Sequence, residues 1–159
     1  FREDRTFSQF VREELVHFSL TDNRRSLPSL IDGLKPSQRK VLHACFEKRL
    51  FSPAELKVQG LASYTTETLD YKHGEASLIE TIKKMAQDFV GANNVPLLVP
   101  LGQFGTRAAG GANSAAARYL FTRLSPVAKL LFPPADMPVL PRNLSDDGAP
   151  IEPSHFVPV

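Results

Sequence analysis

Asp70-Tyr71-Lys72-His73-Gly74-Glu75 separates two helix-forming stretches, and the reading of that break decides the fold. Before it, Leu56 to Leu69 reads as a helix with irregular apolar spacing. After it, Leu78, Ile82, Met85 and Phe89 recur at helical intervals and predict a helix from Glu75 to about Val90. The opposite side of that helix carries Glu80, Lys83, Lys84 and Gln87. Met85 and Phe89 are read as core residues, because a stripe at helical spacing is most simply a buried face.

Beyond Gly91 the character changes. Val95–Val99 and Tyr119–Leu124 are rich in branched and aromatic residues and read as strands. Between them, Gly102–Ala117 holds four glycines and six alanines. It lacks the large apolar side chains for a core of its own and should lie as a loop over something else. A helix-break-helix pair followed by two strands predicts an α+β, mainly helical chain. The element order is that of a winged helix-turn-helix, with a small β wing carrying the tyrosine loop. In such folds the second helix of the pair lies in the DNA major groove.

Upstream, Phe7, Val11, Leu15 and Phe18 predict an amphipathic helix over Thr6–Phe18. Arg24 to Ser37 holds two prolines and a glycine and reads mostly as loop. A further helix should start near Pro36-Ser37, since proline is accepted in a first turn, with Val41, Leu42, Cys45 and Phe46 as its buried stripe. Downstream, Pro126–Phe132 reads as a short helix. Six prolines between Pro133 and Pro153, and Pro158 after them, suggest an extended exit segment. We therefore divide the chain into 1–135, a winged-helix domain, and 136–159, an exit toward a further, tower-like domain. Because residue 1 is Phe, we read the sequence as an excerpt of a longer protein.

The totals are those of a globular domain: 159 residues, 42% hydrophobic and 23% charged, with one cysteine. No apolar run approaches the ~18–20 residues of a membrane span, and no membrane partner is expected. Cys45 alone excludes an internal disulfide and reads as a buried thiol. Net charge is only +2, but it is unevenly spread. Phe89 to Ala135 contains no Asp or Glu while carrying Arg107, Arg118, Arg123 and Lys129. Arg24, Arg25, Lys35, Arg39 and Lys40 cluster against Asp32 alone. Two basic patches in a nearly neutral chain are the footprint of a polyanion binder, or a set of solvated charges.

Gly102-Gln103-Phe104-Gly105-Thr106-Arg107, followed by Arg118-Tyr119, adds chemistry. A guanidinium presents a fork of donors that fits phosphate oxygens. A free phenol, with a pKa of about 10, is a weak nucleophile that needs such help to attack a phosphodiester. Taken alone, the dipeptide reads equally well as a strand tyrosine beside a solvated arginine.

Five blocks in order resemble the type IIA DNA topoisomerases. Arg25-Ser26-Leu27-Pro28, running on through Asp32-Gly33-Leu34-Lys35-Pro36-Ser37-Gln38-Arg39-Lys40, is similar to their R-x-(I/L)-P-x-x-x-D-G-L-K-P-x-Q-R-(K/R). Tyr71-Lys72-His73-Gly74-Glu75 resembles Y-H-H-G-E, and Phe89-Val90-Gly91-Ala92-Asn93-Asn94 resembles F-V-G-S-N-N. Gly102–Arg107 is similar to G-Q-F-G-T-R, and Ala115–Tyr119 to the A-S-P-R-Y that ends in the catalytic tyrosine. The wording is nearer the eukaryotic topoisomerase II branch than bacterial gyrase.

The resemblance implies the winged-helix part of a DNA cleavage-reunion core. It implies Tyr119 as nucleophile toward a 5′-phosphate, Arg118 on the scissile phosphate, and His73 as a phosphate or proton partner. Lys35, Arg39, Lys40, Gln103, Arg107, Ser114 and Arg123 become DNA-binding residues. Double-stranded DNA and a second copy of the parent protein are the implied partners, in the nucleus or an organelle. Mg²⁺ in a separate TOPRIM domain and ATP in a separate ATPase domain are the implied cofactors. Neither has a site in this sequence, which lacks a dense carboxylate cluster, and the fragment alone should cleave nothing. Ala76, where bacterial relatives carry a quinolone-holding serine, implies quinolone insensitivity.

The sequence departs from the family around the tyrosine. Where the family reads H-G-G-K-D-S-A-S-P-R-Y, this chain has Ala109-Gly110-Gly111-Ala112-Asn113-Ser114-Ala115-Ala116-Ala117-Arg118-Tyr119, and Lys72 replaces the first histidine of Y-H-H-G-E. Two alternatives to a catalytic fragment therefore stay open: a non-catalytic winged-helix DNA-binding module, and a degenerate, inactive topoisomerase segment.

Overall fold

Pro36 opens the central helix, α3 (Pro36–Glu47), where its missing N–H and fixed φ cost nothing. Val41, Leu42, Ala44 and Cys45 are wholly buried along it, and burial pushes the Cys45 thiol pKa up. The computed structural model describes residues 4–159. It is α+β and mainly helical, with two small antiparallel sheets.

α4 (Val58–Thr68) and α5 (Glu75–Ala86) pack on α3. Leu61, Leu78 and Ile82 are fully buried between them. Each such side chain contributes about 1.5–3 kcal/mol by leaving water. Gly74 precedes α5 at φ 85°, a left-handed backbone that glycine adopts without strain. That conformation turns the chain sharply between the two helices. α5 stops at Ala86, earlier than its apolar spacing predicts, because the Asn93 side chain caps it: Nδ2 donates to Lys84 O and Gln87 O.

The first sheet joins β1 (Leu56–Lys57), β3 (Phe121–Leu124) and β2 (Leu98–Leu101) in that spatial order, all antiparallel. Leu56 pairs with Thr122 and Lys57 with Phe121, while Val99 pairs with Arg123 and Leu101 with Phe121. Alternation along β3 buries Thr122 and Leu124 and leaves Phe121 and Arg123 half-exposed. Leu56 and Lys57, read from sequence as the start of a helix, instead edge this sheet, and Val58 N donates to Leu120 O as α4 begins.

At the N-terminal side, α1 (Phe7–Phe10), a π-helical stretch (Val11–Leu15) and α2 (Val16–Ser26) run on as one helix, eight residues beyond the expected end at Phe18. No residue of it is buried, and Phe7 and Phe18 are exposed. After α6 (Pro126–Leu131), the proline-rich segment does not run free. It forms a hairpin of β4 (Arg142–Leu144) and β5 (Pro150–Pro153) that lies against α3. Phe156 then enters the core, its ring 5.2 Å from Phe132 and 6.3 Å from Phe46. No helix among the described residues is long and apolar enough to cross a membrane.

Candidate phosphodiester site and nucleic-acid face

Tyr119 ends a short 3₁₀ turn (Ala117–Tyr119) just before β3, and 65% of its surface is exposed. The Arg118 guanidinium carbon lies 5.0 Å from the centre of the Tyr119 ring. One loop therefore presents an accessible phenol together with the cation that suits a phosphate beside it.

The loop is braced from within. Ala115 N donates to Gln103 O at 2.8 Å, closing its two ends. Asn113 Oδ1 accepts from Thr106 N at 2.8 Å, and Asn113 Nδ2 donates to Thr106 Oγ1 at 3.1 Å. Phe104 is buried and anchors the loop to the body. Gly105 must be glycine: φ is +99°, and a Cβ there would stand 2.6 Å from the Gly111 backbone. Gln103 and Arg107 project on the exposed side, and Ser114 is half-buried. Arg123 sits farther along, half-exposed on β3 opposite Val99.

A second feature is an open cleft of about 420 Å³ where α3 begins and α5 approaches it. Arg25, Lys35, Lys40, Lys72, His73 and Tyr71 line it, with Asp70 the acid among the lining residues. Lys35 is exposed at the N-cap position of α3. His73 stands just before α5, with the Tyr71 ring edge-on at 5.7 Å. The cleft thus gathers Lys35, Lys40 and His73, whereas Tyr119 and Arg118 lie outside its lining. Arg25 and Lys72 are cations that motif reading did not assign to the site. Their signals were present, Arg25 as the first residue of its block and Lys72 as the departure within Y-K-H-G-E.

Arg39 and Lys40, expected on the DNA face, are turned inward. Arg39 is 5% exposed; its Nε donates to Asp32 Oδ2 at 2.7 Å and its Nη2 to Asp32 Oδ1 at 2.9 Å. Lys40 Nζ donates to Leu69 O and to Glu152 Oε2. Glu152 is itself buried and accepts from Asn143 Nδ2. These cations tie α3 to the loop before it, to the end of α4 and to the hairpin. Free Coulombic reach toward a polyanion stays with Arg25, Lys35, Arg107 and Arg118, all exposed.

Ala117 stands where the related sequences have proline. It is the first residue of the 3₁₀ turn, and Ala116 before it has φ −64° and ψ 144°, the extended conformation that a residue preceding proline takes. Ala117→Pro should therefore fit, and by restricting the unfolded chain it should stabilise the protein by about 0.4–1 kcal/mol in urea unfolding. A lower unfolding midpoint would show that this backbone rejects proline.

Among the described residues no three or more His, Cys, Asp or Glu side chains are grouped to hold a metal ion. The residues present do not fit a Mg²⁺ site.

Residues 25–159 match the family model for DNA gyrase/topoisomerase IV. The chain is 53% identical, over 97% of its length, to a mitochondrial DNA topoisomerase 2 of Dictyostelium discoideum, and covers 12% of that protein. It is 54% identical over the same share to DNA topoisomerase 2-alpha of Gallus gallus, covering 10% of it. The solved DNA-binding, cleavage and re-ligation domain of Plasmodium falciparum topoisomerase II superposes with a TM-score of 0.85 at 44% identity, across 99% of this chain and 21% of that one. The chain belongs to the DNA gyrase/topoisomerase IV family, the type IIA topoisomerases. Within that family it is a fragment of the topoisomerase II DNA-binding and cleavage domain, spanning about a tenth of the length of the curated relatives it matches.

Proposed function

We propose that this chain is the winged-helix part of the cleavage-reunion core of an ATP-dependent type IIA topoisomerase, with Tyr119 as its nucleophile. The observation that carries the reading is the exposed Tyr119 phenol with the Arg118 guanidinium against its ring, on a loop braced by its own hydrogen bonds. The phenolic oxygen loses its proton and forms a bond to phosphorus. The bond from phosphorus to the 3′ oxygen breaks, and that oxygen leaves as a hydroxyl. The 5′-phosphotyrosyl ester keeps the bond energy that resealing needs. Arg118 stabilises charge on the phosphate oxygens as the bonds exchange. His73, before the first turn of α5, supplies a hydrogen-bond donor or proton carrier at the basic cleft.

In this reading α4 and α5 form the helix-turn-helix, and β2 and β3 with the tyrosine loop form the wing. Arg25, Lys35, Lys72, Gln103, Arg107, Ser114 and Arg123 hold duplex DNA by its backbone, which gives salt-dependent affinity without sequence reading. Arg39 and Lys40 contribute by fixing Lys35 and the turn before His73. Residues 136–159 lead toward a further, tower-like domain while packing on α3. Mg²⁺ and ATP are held by other parts of the parent protein, which works as a homodimer on nuclear or organellar DNA. Because Asn113 still closes the loop where relatives carry aspartate, catalysis is favoured over an inactive relic.

The test is unlinking of interlocked duplex circles by the full-length parent with Mg²⁺ and ATP. Only passage of one duplex through another can separate closed circles. Separation that requires ATP supports the reading, and a folded, DNA-binding parent that leaves the circles linked overturns it.

A further inference from the structure

Gln87 is the first residue after α5, and its side chain reaches the tyrosine loop. Its Nε2 donates to Phe104 O at 2.9 Å. The same amide lies flat against Gly111, where an added Cβ would overlap Gln87 Nε2. Gly111 in turn backs onto Gly105, and both glycines have positive φ, +84° and +99°. The contact is therefore a stack of three layers: the Gln87 amide, the Gly111 backbone and the Gly105 backbone. Nothing larger than hydrogen on either glycine is compatible with this approach.

Both ends of this connection are fixed. On the helix side, Asn93 Nδ2 donates to Gln87 O at 2.8 Å and to Lys84 O at 2.6 Å. On the loop side, Phe104 is buried, and Asn113 bonds the strand of loop after Gly111 back to Thr106. Ala115, two residues after Asn113, bonds to Gln103 O, and the chain then runs directly into Arg118 and Tyr119.

We infer that Gln87 is a positioning residue that couples α5 to the loop bearing Arg118 and Tyr119, so that seating α5 on DNA sets the tyrosine's place. The inference rests on Tyr119 being the nucleophile. Gln87 touches neither phosphate nor tyrosine; it acts through Phe104 and Gly111. Catalysis by placement is sensitive, since a displacement of about 1 Å at the reacting atoms costs on the order of 10²-fold in rate.

The experiment uses the full-length parent with Mg²⁺ and compares wild type, Gln87→Leu, Asn113→Ala and Tyr119→Phe. For each, duplex affinity, melting temperature and the fraction of DNA captured covalently after a detergent quench are measured. Gln87→Leu should keep affinity and melting near wild type while capture at saturating DNA falls about 10- to 100-fold. Asn113→Ala removes an exposed side chain that holds the same loop, so it should show the same split. The double variant should lose less than the two single losses combined, because both act through one loop. Wild-type capture in folded Gln87→Leu would overturn the inference, as would capture falling only in step with affinity. If Gln87→Leu does not fold, unchanged capture in Asn113→Ala overturns it alone. Capture persisting in Tyr119→Phe would instead sink the nucleophile assignment, which keeps the two failures distinct.

Discussion

Asp32→Ala should cost this chain about 3–5 kcal/mol of stability, the penalty of leaving a buried charge without its partner. For a domain of this size that lowers the melting temperature by roughly 6–20 °C. Asp32 accepts four hydrogen bonds: two from the Arg39 guanidinium, one from Leu34 N and one from Phe156 N. Its removal strands a cation that is 5% exposed and two backbone donors, the farther of them 124 residues along the chain. Replacing Asp32 and Arg39 together by Leu and Met should recover part of the loss. The charge problem disappears, but Leu34 N and Phe156 N still lack an acceptor. Equal stability of Asp32→Ala and wild type would remove the clamp from the account.

The same carboxylate gives a pH dependence of definite sign. Burial pushes the Asp32 pKa up, but hydrogen bonds from Arg39, Phe156 and Leu34, with the Arg39 charge, bring it below the ordinary carboxylate value. A depressed folded pKa contributes stability that is complete above the unfolded value of about 3.9 and is lost as pH falls through the folded one. Acid unfolding of the wild type should therefore steepen below about pH 4, and Asp32→Ala should flatten that limb.

Arg118→Ala in the full-length parent should lower covalent capture of DNA by about 10²–10³-fold, the range for removing one donor aimed at transition-state charge. DNA affinity should fall far less, because the remaining exposed cations continue to neutralise phosphates. Arg118→Lys should lie between. It keeps the charge but not the planar fork, and an ammonium cannot reproduce the guanidinium's bidentate fit to phosphate. Parallel loss of affinity and capture would make Arg118 an ordinary backbone contact.

The helices that place the site were legible because their signals are local. Pro36 marks the start of α3, and Leu78, Ile82 and Met85 mark the buried face of α5. The Tyr119 loop was legible from composition, since a run of glycine and alanine has no core and must lie on something. What it lies on was not, because the Gln87 contact joins residues 17 apart and depends on two glycines whose φ no pattern reveals. β1 escaped notice because two residues have no periodicity; only the partner strand defines them. The first helix ran past Phe18 because nothing stops it before Pro28, and its apolar stripe predicted a helix without saying what covers Phe7 and Phe18. Charge density likewise did not separate surface cations from Arg39 and Lys40. The distinguishing partners, Asp32 and Glu152, lie 7 and 112 residues away. Proline content suggested an extended tail, yet Ile151, Glu152 and Phe156 give it a face that fits the body.

The central claim is that Tyr119 becomes joined to DNA. The full-length parent should be incubated with supercoiled plasmid and Mg²⁺, quenched with detergent, and digested with nuclease and protease. Mass spectrometry then identifies the peptide that retains a nucleotide. The account predicts a 5′-linked nucleotide on the peptide containing Tyr119. An adduct on another residue, or none from a protein that binds the plasmid normally, would contradict it.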